Sequence, residues 1–291
     1  MIKQRGSGAG LYIVYLFFRF FGYPGLRFIL FFVVLYFSLT TPTIKRALRE
    51  YYLLCTGEFN FRIYYRHLFS YALVFSDRFL SKRFLSRYHA NAQNEISFLS
   101  ALEKGGLFLF SHVGDWSICE RLLSEKNITV NIVMQEVIKE SIQGFGKFIE
   151  DKQHSTIKII DLSEGSIPVA IRIANAFQKG EIVAMMADRF LTQQGGIPVT
   201  FLGKRVIINK NPFEVGYNRN VPLIVLLSFR ESDYHYNVSY YGLTPYDRTL
   251  PKEEALAKTA QEYADILEKA VKEYPDQWFN LYDFFNTATA V

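Results

Sequence analysis

Short apolar runs alternate with helical patterns from residue 105 onward, and this alternation limits the possible folds more than any other feature of the sequence. Runs of about 4 to 8 apolar residues are typical of buried strands, and apolar residues at helical spacing are typical of amphipathic helices. The pattern predicts an α/β fold with a mixed, mostly parallel sheet flanked by helices. The predicted strands are residues 107–110, 130–134, 156–160, 182–187, 223–229 and 234–241, and the predicted helices are residues 139–150, 167–178 and 253–274.

Turn and stop signals support several of these boundaries. Gly180 follows the helix predicted over residues 167–178, and Pro275 follows the helix predicted over residues 253–274. The polar residues 231–233 predict a turn that pairs the last two strands with each other. The chain has 291 residues, enough for one large core, and we expect a single folded domain after the N-terminal segment.

The N-terminal segment is almost wholly apolar and aromatic from Leu11 to Leu39. Arg19, residues 22–25 and Arg27 interrupt it, and neither uninterrupted half has the roughly 20 residues that cross a bilayer comfortably. The segment is compatible with one imperfect spanning helix, a helical hairpin in the interface, or two amphipathic pieces with arginines at the headgroups. A buried helical hairpin of a soluble protein is the alternative. Basic residues flank the segment on both sides: Lys3, Arg5, Lys45, Arg46 and Arg49.

These flanks favour anionic lipid on a cytoplasmic membrane face. A small-residue cleavage site after a short apolar region is missing, which argues against a cleaved secretory signal. We therefore expect residues 1–41 to anchor the chain at the bacterial inner membrane, on its cytoplasmic face. Residues 42–291 would form the α/β domain, with residues 42–95 as a helical lead-in that is rich in basic and aromatic residues.

The net charge of +5 fits an anionic partner, either phospholipid or nucleic acid. Arginines and aromatics alternate in the lead-in, a pattern that occurs in single-strand nucleic-acid binders and in helices on membrane surfaces. The apolar N-terminus favours the membrane, so we expect no nucleic-acid partner. Cys55 and Cys119 lie far apart and have neither metal-binding nor redox spacing, which favours a reducing compartment.

His112 is the first candidate for chemistry, because it follows the apolar run 107–110 and precedes a short helical pattern. Loops at the carboxyl ends of strands in α/β sheets commonly hold reacting groups, and Asp115 is close enough in sequence to orient the ring. The alternative is that His112 only packs or caps. The sequence has no Gly-rich phosphate loop, metal-ligand spacing or Gly-x-Ser-x-Gly motif, so we expect no metal or cofactor. The other four histidines are expected to be structural or on the surface: His67, His89, His154 and His235.

Four separated stretches share their order and spacing with a known superfamily: 111–116 (SHVGDW), 180–189 (GEIVAMMADR), 199–204 (VTFLGK) and 275–285 (PDQWFNLYDFF). In these stretches the chain resembles the lysophospholipid acyltransferase superfamily, in the branch of the bacterial lipid A late acyltransferases. It is most similar to the predicted acyltransferases of aryl-polyene-type lipid gene clusters. The resemblance covers nearly the whole chain, including the apolar N-terminus.

The resemblance implies acyl transfer from an acyl carrier protein (ACP) or coenzyme A thioester to a hydroxyl or amine of a membrane lipid. In that superfamily a His-x4-acid motif supplies the general base, and His112 matches its histidine. The acidic position falls on Ser117. Three possibilities remain for the group that would take the place of this acid. Asp115 could form a hydrogen bond with the His112 ring, or Glu120 could reach the ring from one helical turn further along. Otherwise Ser117 could bridge to the ring through water in an enzyme that is slow or has lost catalysis. We favour Asp115, whose alternative role is to cap the helix that starts near Trp116.

The resemblance also implies substrate contacts at the mouth of the active site. Asp188 and Arg189 are candidates for these contacts, and Arg189 could hold a phosphate of the donor or acceptor, with a surface salt bridge as the alternative. Lys204 could contact the carrier protein or the headgroup of the lipid. Ser117 is a candidate for contacting the substrate. We expect a monomer whose partners are membrane lipids and the acyl thioester. A catalytically silent relative that binds or scaffolds lipid is the competing hypothesis.

Overall fold

The computed structural model describes residues 8–92, 105–118, 123, 128–134, 156–189 and 195–285. Its helices are α1 (Gly8–Thr40), α2 (Pro42–Cys55), α3 (Phe61–Arg83), α4 (Ser166–Gln178), α5 (Asn211–Arg219) and α6 (Lys252–Glu273). Its strands are β1 (His89–Ala92), β2 (Leu107–Phe110), β3 (Val130–Met134), β4 (Ile157–Asp161), β5 (Ile182–Met186), β6 (Gly196–Phe201), β7 (Lys204–Asn209), β8 (Leu223–Ser232) and β9 (His235–Gly242). The helix predicted over residues 139–150 lies outside the described residues.

Seven of these strands form one sheet in the order β1-β9-β8-β2-β5-β3-β4. Its neighbouring strands are parallel except for β8 and β9, which form an antiparallel hairpin. All four residues of β2 are buried, as expected for a central strand with a layer of structure on each face. The predicted mixed, mostly parallel α/β sheet is therefore confirmed.

The register of β2 on β5 determines what meets at the carboxyl edge of the sheet. Phe110, the last residue of β2, lies opposite Met186, the last residue of β5. The Ala187 N–H continues the pairing by donating to the Phe110 carbonyl at 2.9 Å. Because the two strands are parallel and end together, the residues that follow them leave the sheet side by side.

Strands β6 and β7 form a separate antiparallel hairpin, which the sequence alternation did not reveal. Leu202 and Gly203 make its tight turn with positive φ angles of 50° and 73°. Two polar contacts attach the hairpin to α6: Leu202 N–H donates to Glu268 at 2.6 Å, and Thr200 N–H donates to Gln261 at 2.8 Å. The hairpin shields the edge of the core that faces α6.

The N-terminal segment is helical with a break at Gly22, where φ is 62° and ψ is −150°. The break falls within the interruption seen in the sequence at residues 22–25. One side of α1 is buried in an apolar cluster with α3 and the residues around β1 and β9: Phe18, Tyr23, Leu26 and Leu30 with Leu73, Leu80, Tyr88 and Tyr236. Helices α2 and α3 lie in the lead-in that was predicted to be helical, but its residues 89–92 form β1, because they pair in parallel with β9 at the edge of the sheet.

Candidate functional site

His112 and Asp188 meet at the carboxyl edge of the sheet. The Nδ1 atom of His112 lies 2.9 Å from Oδ1 of Asp188, and the His112 backbone N–H donates to Oδ2 at 2.8 Å. The Trp278 indole N–H is 3.3 Å from the same Oδ2. The Asp188 side chain is fully buried, whereas 25% of the His112 side chain is exposed. A buried carboxylate thus fixes the orientation of a ring that solvent reaches.

The strand register explains this pairing. His112 is the second residue after β2, and Asp188 is the second residue after β5. Since Phe110 and Met186 are register partners, these two positions are adjacent across the parallel pair. The structure therefore differs from the sequence expectation, in which Asp115 bonded the ring and Asp188 contacted substrate.

Electrostatics keep the Asp188 carboxylate ionised. Burial by itself would raise its pKa, but the His112 interactions and the Arg189 charge together hold the pKa below its ordinary value. A carboxylate that accepts two hydrogen bonds from one histidine is suited to stabilise the ring when it becomes protonated. The pair consequently has the electrostatics of a general base and its orienting acid.

Backbone hydrogen bonds hold the His112 loop in place. Phe279 N–H donates to the His112 carbonyl at 2.6 Å, and Gly114 N–H donates to the Gln277 carbonyl at 2.8 Å. Asp115 N–H donates to the Ser228 carbonyl of β8 at 3.0 Å. The loop is thereby fixed between the C-terminal segment and the sheet, so the conformation of His112 depends on residues 277–279.

Asp115 caps the short 3-10 helix Trp116–Ile118. Its Oδ1 accepts the Ser117 N–H at 3.0 Å and the Ser117 hydroxyl at 2.7 Å, and Arg78 Nε lies 3.4 Å from the same atom. The Asp115 side chain is fully buried. Asp115 thus has the capping role that was the alternative in the sequence analysis. Aspartate is a preferred residue at this position, because its carboxylate accepts hydrogen bonds from the free N–H groups of the first helical turn. Ser117, where the resemblance implies an acidic residue, donates its hydroxyl to Asp115.

Arg189 follows Asp188 out of the sheet and is half-buried. Its Nη2 lies 3.4 Å from Asn280 Oδ1, and its guanidinium carbon lies 5.0 Å from the centre of the Tyr282 ring. The Arg189 Nε and the Asn280 Nδ2 are both buried without a hydrogen-bond partner in the described part of the chain. These two unmatched N–H donors belong to residues that directly follow Asp188 and Phe279, and an acceptor oxygen would satisfy them. Sequence reasoning missed Asn280.

The other sequence candidates lie apart from this cluster or outside the structure. Lys204 begins β7 and is exposed on the hairpin. Glu120 lies outside the described residues. Among the residues that the structure describes, no cluster of three or more His, Cys, Asp or Glu side chains could hold a metal ion. The roles suggested for Lys204 and Glu120 stay predictions.

Comparison with known proteins completes this picture. The sequence profile of the bacterial lipid A biosynthesis acyltransferases matches residues 60–287, well over half of the chain. The chain belongs to this family. The phosphatidylinositol mannoside acyltransferase of Mycobacterium tuberculosis (strain ATCC 25618 / H37Rv) is 22% identical over 120 residues, which is 41% of this chain and 37% of that relative. The matched region thus spans little more than a third of the relative's length.

Membership in the lipid A acyltransferase family confirms the branch that the sequence motifs indicated. The matched residues 60–287 include His112, Asp115, Asp188, Arg189 and Asn280. Helices α1 and α2 precede the matched region. The finer likeness to aryl-polyene cluster acyltransferases stays a prediction.

Proposed function

We propose that this protein is a membrane-associated acyltransferase that moves a fatty acyl chain from an ACP or coenzyme A thioester to a hydroxyl or amine of a lipid or glycolipid. The observation that supports the chemistry most directly is the buried Asp188 carboxylate at Nδ1 of the partly exposed His112. Family membership supports the reaction class. The reaction needs no metal or cofactor, because the thioester already carries an activated acyl group.

The mechanism follows from the tautomer that Asp188 selects. When Nδ1–H donates to the carboxylate, the lone pair of the other ring nitrogen, Nε2, can accept a proton. The acceptor hydroxyl attacks the thioester carbonyl while its proton moves to Nε2 of His112. The carbon–sulfur bond then breaks, and the departing thiolate takes the proton from Nε2. Asp188 stabilises the transient imidazolium and need not become protonated itself.

The serine at position 117 is compatible with this mechanism. The family's acid at that position is replaced in function by Asp188, which reaches the ring from β5 rather than from the loop after β2. Asp115 and Ser117 instead hold each other at the helix start. In this proposal Asp115 is a positioning residue, and no contribution from Glu120 is required.

Arg189 and Asn280 would bind an oxygen of the substrate. Their unmatched donors, Nε and Nδ2, can hold a phosphate oxygen of the donor arm or acceptor lipid, or the carbonyl oxygen that becomes negative during attack. A buried donor that gains a charged acceptor contributes more than a solvated one. This site is therefore where we place the polar part of the substrate. Lys204, on the exposed hairpin, would contribute to docking of the carrier protein or headgroup.

We further propose that the protein works at the cytoplasmic face of the bacterial inner membrane as a monomer. The apolar helix α1 and the basic residues around it support this placement. Acyl carrier protein and coenzyme A thioesters are cytoplasmic, so this face gives the site access to both substrates.

The direct test is consumption of acyl-ACP and acyl-CoA by the purified protein in a bacterial lipid extract, with acylated lipid as the product measured. We expect one donor to be consumed, and His112→Ala to lose activity by about 10³-fold or more. A wild-type protein that is inert with both donors, together with a Ser117→Glu variant that gains activity, would instead establish the silent, lipid-binding alternative.

A further inference from the structure

Helix α1 is long and apolar enough to cross a membrane when only its length and composition are considered. We propose that it does not cross: α1 lies in the plane of the bilayer interface, with its outward face in lipid and its inward face on the protein. This inference rests on the proposed membrane association and specifies its geometry. The occupant of the outward face is a bilayer that contains anionic phospholipid.

The break at Gly22 divides α1 into two pieces, residues 8–21 and 23–40. At 1.5 Å per residue these pieces are about 21 Å and about 27 Å long. Each is shorter than the roughly 30 Å hydrocarbon core of a bilayer. Neither piece alone makes a comfortable span, and the pieces are joined by a backbone that is not helical.

The middle of α1 is attached to charged groups of the α/β domain. The Tyr23 hydroxyl donates to the buried Asp77 carboxylate at 2.6 Å, and Arg27 makes two hydrogen bonds with Asp233 at 2.9 and 2.7 Å. Asp77 is also paired with Arg230 at 2.8 Å. If α1 crossed the bilayer, these charges would lie near its centre, where a charged side chain is strongly unfavourable. The contacts therefore place the middle of α1 beside the water-facing domain.

From Phe18 to its end, α1 runs antiparallel along α3. The Thr41 and Tyr64 hydroxyls are 2.9 Å apart at one end, and the rings of Phe18 and Phe84, just past α3, are 5.3 Å apart at the other. Helix α3 cannot follow α1 into a bilayer, because its stretch between Arg66 and Arg78 is only about 18 Å long. Docking along such a helix is compatible with a position on the membrane surface and not with a span.

The outward face of α1 is apolar and uncovered. Phe20, Phe21 and Leu39 expose 73%, 66% and 70% of their surface. Soluble monomers seldom expose so many large apolar side chains together, so this face fits insertion into lipid. The other large apolar side chains exposed on α1 are Tyr12, Ile13, Phe28, Phe31, Phe32, Val33 and Tyr36.

Charge complementarity selects anionic lipid as the partner. Arg19 is exposed on α1, and Lys45, Arg46 and Arg49 are exposed on α2, which follows directly. An anionic leaflet attracts cations that lie near its surface. The apolar face of α1 would insert into the lipid, and the basic residues of α1 and α2 would contact the anionic headgroups. This combination is typical of an anchor that lies in the membrane interface.

The topology can be tested with single cysteines in a chain that carries Cys55→Ala and Cys119→Ala. Ala9→Cys marks the start of α1, and Lys269→Cys marks the exposed side of α6. We expect a membrane-impermeant maleimide to label neither site in intact spheroplasts and both sites in inside-out vesicles. Labelling of Ala9→Cys from outside the spheroplasts would overturn the inference, and so would recovery of the protein in the soluble fraction.

A vesicle-binding assay tests the outward face independently. The double variant Phe20→Ser and Phe21→Ser should bind vesicles of phosphatidylglycerol and phosphatidylethanolamine at least tenfold more weakly than the wild type. Tyr241→Ser is the control, since this residue is 44% exposed on β9 away from α1. Equal loss in both variants would contradict the proposed face. Thioester consumption measured in the same preparations separates this inference from the acyltransferase proposal: a spanning but active protein refutes only the topology.

Discussion

At the scale of single residues, Asp188 and Asp115 are two fully buried carboxylates with different partners. Asp188 accepts hydrogen bonds from the ring and backbone of His112, whereas Asp115 accepts them from Ser117. Because Asp188 contacts the His112 ring, it orients the proposed base. Asp115 contacts Ser117 instead and stabilises the conformation of the loop that carries His112. Sequence distance from His112 is a poor guide to this division of roles.

His67 provides a pH-dependent prediction at this scale. Burial lowers its pKa to about 3, and its Nδ1 shares a hydrogen bond with the Tyr52 hydroxyl at 3.1 Å. The unfolded chain therefore binds a proton near pH 6.5 that the folded chain does not bind until about pH 3. The free energy of unfolding should fall as the pH drops through this window, by up to about 1.4 kcal/mol per pH unit.

The measurement is denaturant unfolding of the wild type and of His67→Gln between pH 4.5 and 6.5. Glutamine can keep a hydrogen bond to Tyr52 but does not titrate. The variant should show a flatter pH dependence, and the remaining histidines cancel in the comparison. Parallel slopes for the two proteins would show that His67 is not the titrating group.

The sequence predicted part of the site and missed the rest for a physical reason. His112 was found because it directly follows an apolar strand, and Arg189 because its motif resembles the family's. The bond between His112 and Asp188 depends on β2 and β5 being neighbours, although β3 and β4 lie between them in the chain. His112 and Asp188 each stand two residues after the end of an apolar strand, and this equal spacing was visible in the sequence. It predicts a contact only when the two strands are known to be neighbours.

At the scale of elements, the loop after β2 is held closely by its neighbours. Gly114 has a φ of +53°, and an added methyl group there would overlap the Ser228 carbonyl oxygen of β8. The same loop makes backbone bonds to residues 277–279. The position of His112 is thus determined jointly by the sheet and by the C-terminal segment.

Gly114→Ala should destabilise the fold by about 3 kcal/mol or more, because the strained φ and the overlap with backbone act together. Gly203→Ala is the matched control: its φ is +73°, but the added methyl group meets open space. The control should lose only about 1 to 2 kcal/mol. Chemical unfolding in mild detergent gives both values, and equal losses would show that the Ser228 contact is not limiting.

Elements with a clear pattern were predicted well, and a hairpin without one was not. Strands β2, β3 and β5 and helices α4 and α6 lie within a residue or two of the sequence expectation. Strands β6 and β7 alternate buried and less buried residues around a two-residue turn, but they hold Pro198 and two adjacent cations, Lys204 and Arg205, which mask the strand pattern. The family resemblance drew attention to residues 199–204 without indicating their conformation.

At the scale of the whole molecule, one buried polar cluster joins the N-terminal helices to the sheet. Asp77 of α3 accepts hydrogen bonds from Tyr23 of α1, Tyr88, Tyr236 of β9 and Arg230 of β8. Only 9% of the Arg230 side chain is exposed. A buried ion pair adds little net stability when intact, but breaking it leaves an unpaired buried charge.

Asp77→Ala should therefore lower the free energy of unfolding by about 3 to 5 kcal/mol, since three buried hydroxyls lose their acceptor and Arg230 keeps only Asp233 as a carboxylate partner. Arg27→Ala removes the exposed ion pair with Asp233 and should cost less than about 1 kcal/mol. The two variants are compared by denaturant unfolding at one pH and detergent concentration. Similar, small losses would show that the Asp77 cluster does not hold α1 to the domain.

The central claim is that Asp188, and not Asp115, orients His112 for acyl transfer. The most direct measurement is kcat for thioester consumption by wild type, Asp188→Asn and Asp115→Asn, with folding checked by circular dichroism. We predict a loss of about 10²- to 10⁴-fold in Asp188→Asn, because the amide favours the wrong ring tautomer. Asp115→Asn should lose less than about tenfold, since its amide oxygen can still cap Ser117. A folded Asp188→Asn enzyme with near wild-type kcat, or an Asp115→Asn enzyme with the larger loss, would contradict this account.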